Sequence, residues 1–251
     1  MKDGTSQPVP VLERERLWRF ADAYARVGPV VLRGAVAAGL LRYWEPAVLR
    51  SRAGSVPVTV NLRRDQFDFE SWRVEHQRDP ARSRLMMNLQ QMPLAAVLDE
   101  VFDPAHDGPR RDIAIAGLEC STLGGHAWSR DLCPLAVELG CDRPHLWASG
   151  ARRRHQAHFD PGDVFILMVC GLKRFSIAPP SATSGLYPYP GHAALSRIPD
   201  LLHADIVKWP LFDPARLWTT ELRPREVLYI PQLWWHQSDY LAPSLSLSLW
   251  P

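Results

Sequence analysis

Lysine is nearly absent from this 251-residue chain: of its 29 basic residues, only Lys2, Lys173 and Lys208 are lysines. A lysine inside a motif is therefore more informative here than usual. Cysteine is also scarce. Cys120, Cys133, Cys141 and Cys170 form no C-x-x-C pair, which excludes a zinc knuckle, and they are too few for a disulfide framework, so buried or incidental thiols are expected. Neither sign of charge dominates. The formal net charge of +2 excludes a dedicated polyanion binder, and a nucleic-acid partner is not expected. No apolar run approaches the ~18 residues of a membrane span. Met1-Lys2-Asp3-Gly4 opens no apolar signal segment, so no membrane partner and a cytoplasmic location are expected. No internal repeat of solenoid period is present.

What is there begins with a 46% hydrophobic composition, enough for a sizeable core. Residues 1–10, with Gly, Ser and two Pro, read as a flexible lead-in. From Leu12 to Val27 the positions Leu17, Phe20, Ala21, Tyr24 and Val27 recur at three and four, the spacing of an amphipathic helix that Gly28-Pro29 ends. Val30–Leu32 reads as a short strand, Ala35–Leu49 as helix interrupted near Pro46, and Val56–Leu62 as a strand. Arg63–Arg84 is charge-rich without periodicity, an excursion or a lid. Pro93–Phe102 reads as a helix with Pro93 in its first turn, and Ile113–Leu118 as a buried strand. After Gly150 short apolar runs (Val164–Val169, Arg174–Ile177, Val227–Ile230, Leu245–Trp250) alternate with Pro- and Gly-bearing turns. In the last run leucines alternate with serines, so one face is apolar and the other carries hydroxyls. Helices followed by many short strands predict an α+β, mainly β chain whose β part is a sandwich or barrel.

The chemistry centres on His158-Phe159-Asp160. In a strand, residues i and i+2 project from one face, so an imidazole and a carboxylate would point together. His236 lies 76 positions after Asp160, behind the strand Val227–Ile230, a Pro231-Gln232 turn and Trp234-Trp235. Two histidines and one carboxylate form the facial triad of non-haem Fe(II) oxygenases. By itself His-x-Asp is common, and its bland reading is a hydrogen-bonded pair.

The flanking residues add a resemblance. His158-Phe159-Asp160-Pro161-Gly162-Asp163, then Phe165-Ile166-Leu167, Gly171-Leu172-Lys173-Arg174-Phe175 and Pro179-Pro180 are similar to the core of the JmjC/cupin-like oxygenase family. So are Leu222-Arg223-Pro224-Arg225-Glu226-Val227-Leu228-Tyr229-Ile230-Pro231, Trp234-Trp235-His236 and the serine-alternating strand ending at Trp250. Weaker similarity reaches back to Pro29–Gly34 and Val56–Val60. The resemblance implies one domain over 1–251, with 11–110 as a helical and strand N-terminal part. It implies that 111–251 forms a double-stranded β-helix (jelly-roll or cupin) barrel, with the N-terminal helices packed on it. It further implies Fe(II) held by His158, Asp160 and His236, 2-oxoglutarate as co-substrate, and O2 as oxidant. Lys173, 15 residues after His158, would pair with the distal carboxylate of 2-oxoglutarate. The chain departs from the family pattern in four places. His155 stands where Thr is usual, Val164 replaces Asn, Arg225-Glu226 replaces Gly-Asp, and Ile113–Ala116 is apolar where a pocket strand is polar. His155 and Ser248, with Ser246, are expected to line the co-substrate site. Arg152-Arg153-Arg154 reads as a solvated turn, Trp234 and Trp235 as barrel-end core, and Trp147 as core.

The activity implied is hydroxylation of a C–H bond, coupled to oxidative decarboxylation of 2-oxoglutarate to succinate and CO2. A peptide or protein side chain is the expected substrate. A small metabolite or modified nucleoside is the alternative, as is a metal-binding cupin of other chemistry or a non-catalytic one. No chromatin-reader module or Cys/His cluster points to demethylation. Because Pro251 follows the last strand directly, a monomer is expected, or a homodimer through the N-terminal helices or a barrel edge.

Overall fold

The structure, a computed structural model, describes residues 6–36, 38–63, 89–103, 112–123 and 133–251. Its strands are β1 (Gln7–Pro8), β2 (Val11–Leu12), β3 (Val30–Arg33), β4 (Pro57–Arg63), β5 (Leu89–Pro93), β6 (Asp112–Glu119), β7 (Arg143–Ser149) and β8 (Arg154–His158). They continue with β9 (Val164–Cys170), β10 (Lys173–Ala178), β11 (Pro188–Tyr189), β12 (His192–Ser196), β13 (Trp218–Leu222), β14 (Glu226–Ile230), β15 (Trp235–Tyr240) and β16 (Ser244–Trp250). The chain is mainly β, and two sheets hold all of these strands. A seven-stranded sheet has the order β1-β13-β10-β15-β8-β12-β11, and a nine-stranded sheet the order β2-β3-β14-β9-β16-β7-β6-β4-β5.

Alternation along the central strands sorts three cores. In β9 and β14, Val164, Met168, Leu228 and Ile230 face Phe175 and Ile177 of β10, which fills the space between the sheets. The intervening Phe165, Leu167, Val227 and Tyr229 point the other way, as do Leu245, Leu247 and Leu249 of β16. They share a core with Phe20, Trp44, Leu49, Val97 and Leu98 from the helical segments. The leucine–serine alternation of β16 is thus resolved by its two environments, with leucines under the helices and serines between the sheets. A third core lies against Ala157, Ala178 and Trp235 and is filled by Leu186, Ile198, Leu201, Trp209, Phe212 and Leu217 from the long β10–β13 connection.

The helices are shorter than their periodicity predicts. Leu12–Val27 is not one helix but a 3-10 segment, Arg14–Arg19, running into α1 (Phe20–Ala23), and Val27 is exposed. Arg26 has a left-handed φ of 61°, which stops α-helix before Gly28. α2 (Ala38–Leu41), α3 (Pro46–Ala53) and α4 (Leu94–Phe102) follow, with Pro46 opening α3 rather than interrupting a longer helix. α5 (Pro134–Glu138) precedes β7. The lead-in is anchored over its described part: Gln7 and Pro8 pair with Trp218 and Thr219, and Val9 is buried between the sheets. β3 pairs with β14 and β4 with β6, so the described strands β2–β5 build into the same sheet as strands of the C-terminal half. Residues 64–84 of the charge-rich stretch lie outside the described residues. Among the described residues, no helix is long and apolar enough to cross a membrane.

The arginine of Arg225-Glu226 takes over a glycine's conformation. Arg225 has φ 73°, and its N–H donates to the Met168 carbonyl at 2.9 Å. Glu226 closes the turn by accepting from the Arg223 N–H at 2.9 Å and from Arg33 Nε at 2.7 Å. A left-handed non-glycine residue costs about 1–2 kcal/mol. Arg225→Gly is therefore expected to stabilise the protein by about 1 kcal/mol in urea unfolding, net of glycine's extra chain entropy. A lowered midpoint would show that the Arg225 side chain repays its backbone.

Candidate metal centre

β8 and β15 are hydrogen-bonded neighbours, and their register sets His158 directly opposite His236. The imidazole centroids are 4.3 Å apart. Asp160 follows β8 by two residues, and its carbonyl accepts the Leu233 N–H at 2.8 Å, tying it to the turn that leads into β15. One ligand-type atom from each of His158, Asp160 and His236 lies within 4.8 Å of the other two. Among the described residues, this is the group of His, Cys, Asp and Glu side chains able to surround one ion.

The protonation pattern follows from backbone acceptors. His158 Nδ1 meets the Gln156 carbonyl at 2.7 Å, and His236 Nδ1 meets the Trp234 carbonyl at 3.1 Å. A carbonyl only accepts, so both Nδ1 atoms carry a proton, and a neutral His236 ring keeps its lone pair on Nε2. Burial, reinforced by the neighbouring His158, pushes the His236 imidazolium down to about 3, so the ring is neutral in ordinary buffers. Burial also raises the Asp160 carboxyl, with His158 partly opposing it. His236 Nε2 faces Asp160 Oδ2 at 3.4 Å, yet Oδ2 is buried without a hydrogen-bond partner. An ion pair is the wrong description of that contact. Two lone pairs confront each other across the gap, a contact that a cation bound between them would relieve. Two imidazole nitrogens and one carboxylate oxygen are the donor set that suits non-haem iron.

A cavity of about 110 Å³ opens from this cluster between the sheets. One wall is formed by His155, Lys173, Phe175 and Ser238, the other by Trp147, Val164, Ile166, Ser246, Ser248 and Trp250. His155 and His158 are three apart, an odd interval for one face of a strand. A β-bulge reconciles them, because His158 pairs with His236 and His155 with Ser238, so three residues of β8 span two of β15. His155 stands edge-on between the rings of Trp147 and Tyr240 at 5.2 and 5.5 Å.

Lys173 opens β10, where Gly171 makes its approach possible. A Cβ on Gly171 would sit 2.1 Å from the Pro243 carbonyl oxygen, and its φ is 86°. The Lys173 ammonium is buried. It donates to Ser246 Oγ at 2.6 Å and lies 4.1 Å from the Tyr240 ring centroid, and among the described residues no carboxylate pairs with it. Burial pushes it down to about 7. Ser248 Oγ accepts the indole N–H of Trp147 at 2.6 Å and of Trp250 at 2.7 Å. With both lone pairs taken, its own O–H must donate elsewhere.

The cupin-like domain family matches residues 17–250. The chain belongs to that family. Jumonji C domain-containing protein 5 of Drosophila melanogaster is 34% identical to this cupin-like protein over 124 residues, 49% of this chain and 29% of that one. HSPB1-associated protein 1 homolog of Danio rerio is 31% identical over 111 residues, 42% of this chain and 24% of that one. The chain thus matches less than a third of the length of these two relatives. tRNA wybutosine-synthesizing protein 5 of Mus musculus is 23% identical over 241 residues, 91% of this chain and 73% of that one.

The sequence named His158, Asp160, His236, Lys173, His155, Ser246 and Ser248, and the fold brings all seven to one cavity. Some of its other expectations need correction. Trp147 is not core but cavity wall, because β7 turns it towards Ser248. Arg153 and Arg154 are not a solvated turn: Arg153 is buried, and Arg154 pairs with Asp239 at 2.5 Å and Asp200 at 2.8 Å. Trp235 is core as expected, whereas Trp234 is half-buried against Trp218. Ile113 and Ile115 lie in the helix-side core and take no part in the cavity. The thiols of Cys120, Cys133 and Cys141 are buried and unpaired, and Cys170 is half-buried.

Proposed function

We propose that this cupin-like protein is an Fe(II)- and 2-oxoglutarate-dependent oxygenase, built on a double-stranded β-helix, that hydroxylates a C–H bond of a peptide or protein side chain. The observation that carries the reading is the orphaned Asp160 Oδ2 facing the unprotonated Nε2 of His236, with His158 alongside. His158, Asp160 and His236 hold the metal. When bound, iron, 2-oxoglutarate and O2 together supply the oxidising power, and the 2-oxo acid leaves as succinate and CO2.

The rest is the work of this chain's residues. Lys173, four residues along β10 from the partner of His236, is separated from the metal row by about 13 Å of strand. The cavity therefore has a metal end and a cationic end, as a dicarboxylate requires. Lys173 and Ser246 receive the distal carboxylate, while Ser248 directs its hydroxyl at the metal-proximal end. Val164 offers no hydrogen bond, so His155 and Ser248 supply the polar contacts that the family's Asn and Thr otherwise give. Phe175, Ile166 and the two indoles keep water from the reacting atoms.

Anaerobic addition of Fe(II) and 2-oxoglutarate is expected to produce the weak visible charge-transfer band of the bidentate chelate. No band, together with no conversion of 2-oxoglutarate to succinate, would overturn the reading. One observation favours a second substrate class: the relative matched over most of the chain is named for synthesis of a modified tRNA nucleoside. Substrate-stimulated succinate release with peptides against nucleosides decides between the two, and the near-neutral net charge favours the peptide.

A further inference from the structure

The hydrogen bonds around Asp163 join the two separate arms of the metal centre. The loop after β8 carries Asp160 and, three residues on, Asp163, whose side chain is almost wholly buried. Asp163 Oδ1 accepts the backbone N–H of Gln232 at 2.9 Å and the hydroxyl of Tyr229 at 3.2 Å. Tyr229 is itself fixed: its ring packs against Phe20 and Phe165, and its oxygen accepts the Arg26 N–H at 2.7 Å. Asp163 is thus a rigid post set in the helix-side core. What it grips is the turn Pro231–Trp234. In that turn Leu233 is held at φ 65°, a left-handed conformation that is strained for any residue but glycine. The turn's last carbonyl, that of Trp234, is the acceptor that fixes the His236 ring and leaves its Nε2 unprotonated.

We infer that Asp163 is a positioning residue for the metal centre: it holds the strained turn at Leu233, and through the Trp234 carbonyl it sets the orientation and tautomer of His236. The inference rests on the reading of His158, Asp160 and His236 as metal ligands. Released from Asp163, the turn relaxes Leu233 towards extended backbone, the Trp234 carbonyl moves away, and His236 can turn or carry its proton on Nε2. Outer-shell partners of this kind typically change metal affinity by about 10–100-fold. Asp163→Asn retains an Oδ1 that accepts both bonds. It gives up only a 3.9 Å contact with the exposed Arg26 guanidinium, which is worth little.

Co(II) binding to the full chain, followed by its visible d–d spectrum under anaerobic conditions without co-substrate, tests this directly. Asp163→Ala is expected to weaken Co(II) binding by about 10–100-fold and to alter the band shape, while Asp163→Asn stays within about threefold of the parent. The discriminating variant is Asp163→Ala combined with Leu233→Gly. Glycine has no left-handed penalty, so the turn keeps its form without the post, and most of the lost affinity returns. Mere destabilisation by Asp163→Ala would not be repaired by a second glycine. Unchanged Co(II) affinity in Asp163→Ala overturns the inference, as does a loss that Leu233→Gly fails to restore. If the parent protein binds no Co(II), the metal-centre reading itself has failed, and that outcome is distinct from the other two.

Discussion

Asp160→Ala should abolish Fe(II) retention, the 2-oxoglutarate charge-transfer band and succinate formation, while the metal-free protein loses no stability. These outcomes have one cause. The Asp160 side chain is half-buried, and its buried Oδ2, which no group among the described residues satisfies, faces a lone pair on His236. In the metal-free chain this is an uncompensated burial, costing about 1–3 kcal/mol. Its removal relieves that cost and deletes only a small side chain, so thermal unfolding of the metal-free variant should match or exceed the parent. The parent alone should gain stability when Fe(II) or Co(II) is added, by the linkage of binding to folding. A metal-free Asp160→Ala protein that unfolds several degrees below the parent would show that Asp160 is a structural acceptor and not a vacant ligand. His236→Ala should likewise abolish the band, but at a cost in folding, because it empties a buried site opposite His158.

The second large effect concerns Lys173. Its ammonium is buried against Tyr240 and Ser246 without a carboxylate partner among the described residues, and burial lowers it to about 7 from an ordinary 10.5. Lys173→Met preserves the length of the stem and removes the charge. It should weaken 2-oxoglutarate binding by about 1.5–3 kcal/mol, the scale of a charge-assisted contact. It should also raise the stability of the ligand-free protein by about 1–4 kcal/mol, as apolar replacement of a buried ion often does.

The sign of the pH dependence follows from the depressed lysine. Between about 7 and 10.5 the unfolded chain holds a proton that the folded one has released, so stability of the ligand-free parent rises with pH across that window. Below about 7 both states are protonated and the full penalty of burial is present. The Met variant lacks this slope. A dicarboxylate restores the ammonium, so binding above pH 7 takes up a proton, and parent affinity falls about tenfold per pH unit there. Calorimetry in two buffers of different ionisation enthalpy reads that uptake. No uptake at pH 8 and undiminished affinity in Lys173→Met would remove Lys173 from the co-substrate site.

How much was legible in the sequence differs by residue. Lys173 stood out because lysine is rare in the chain and falls in a Gly-x-Lys-Arg-Phe block, whose glycine proves to be demanded by the backbone of Pro243. Ser246 and Ser248 were legible from alternation alone, since a strand with leucines on one face must present its serines on the other. Trp147 was not, for a tryptophan in an apolar strand looks the same whether it fills a core or walls a cavity. Asp163 was equally silent: its place three residues after Asp160 says nothing about a turn some 70 residues later, and only the bonds to Gln232 and Tyr229 disclose it.

By itself the sequence determined the strand character of the C-terminal half, the identity of the His-x-Asp pair and the lone lysine of the Gly-x-Lys-Arg-Phe block. Each rests on short-range pattern, the two-residue period of a strand or the composition of a tight turn, which acts within a few residues and needs no partner. The tertiary structure alone decided that His236 lies across from His158, that a bulge turns His155 to the same cavity, and that Asp163 braces the far arm. Those are matters of register and of which surfaces pack together, set by burial summed over the whole chain and therefore written in no single stretch of it.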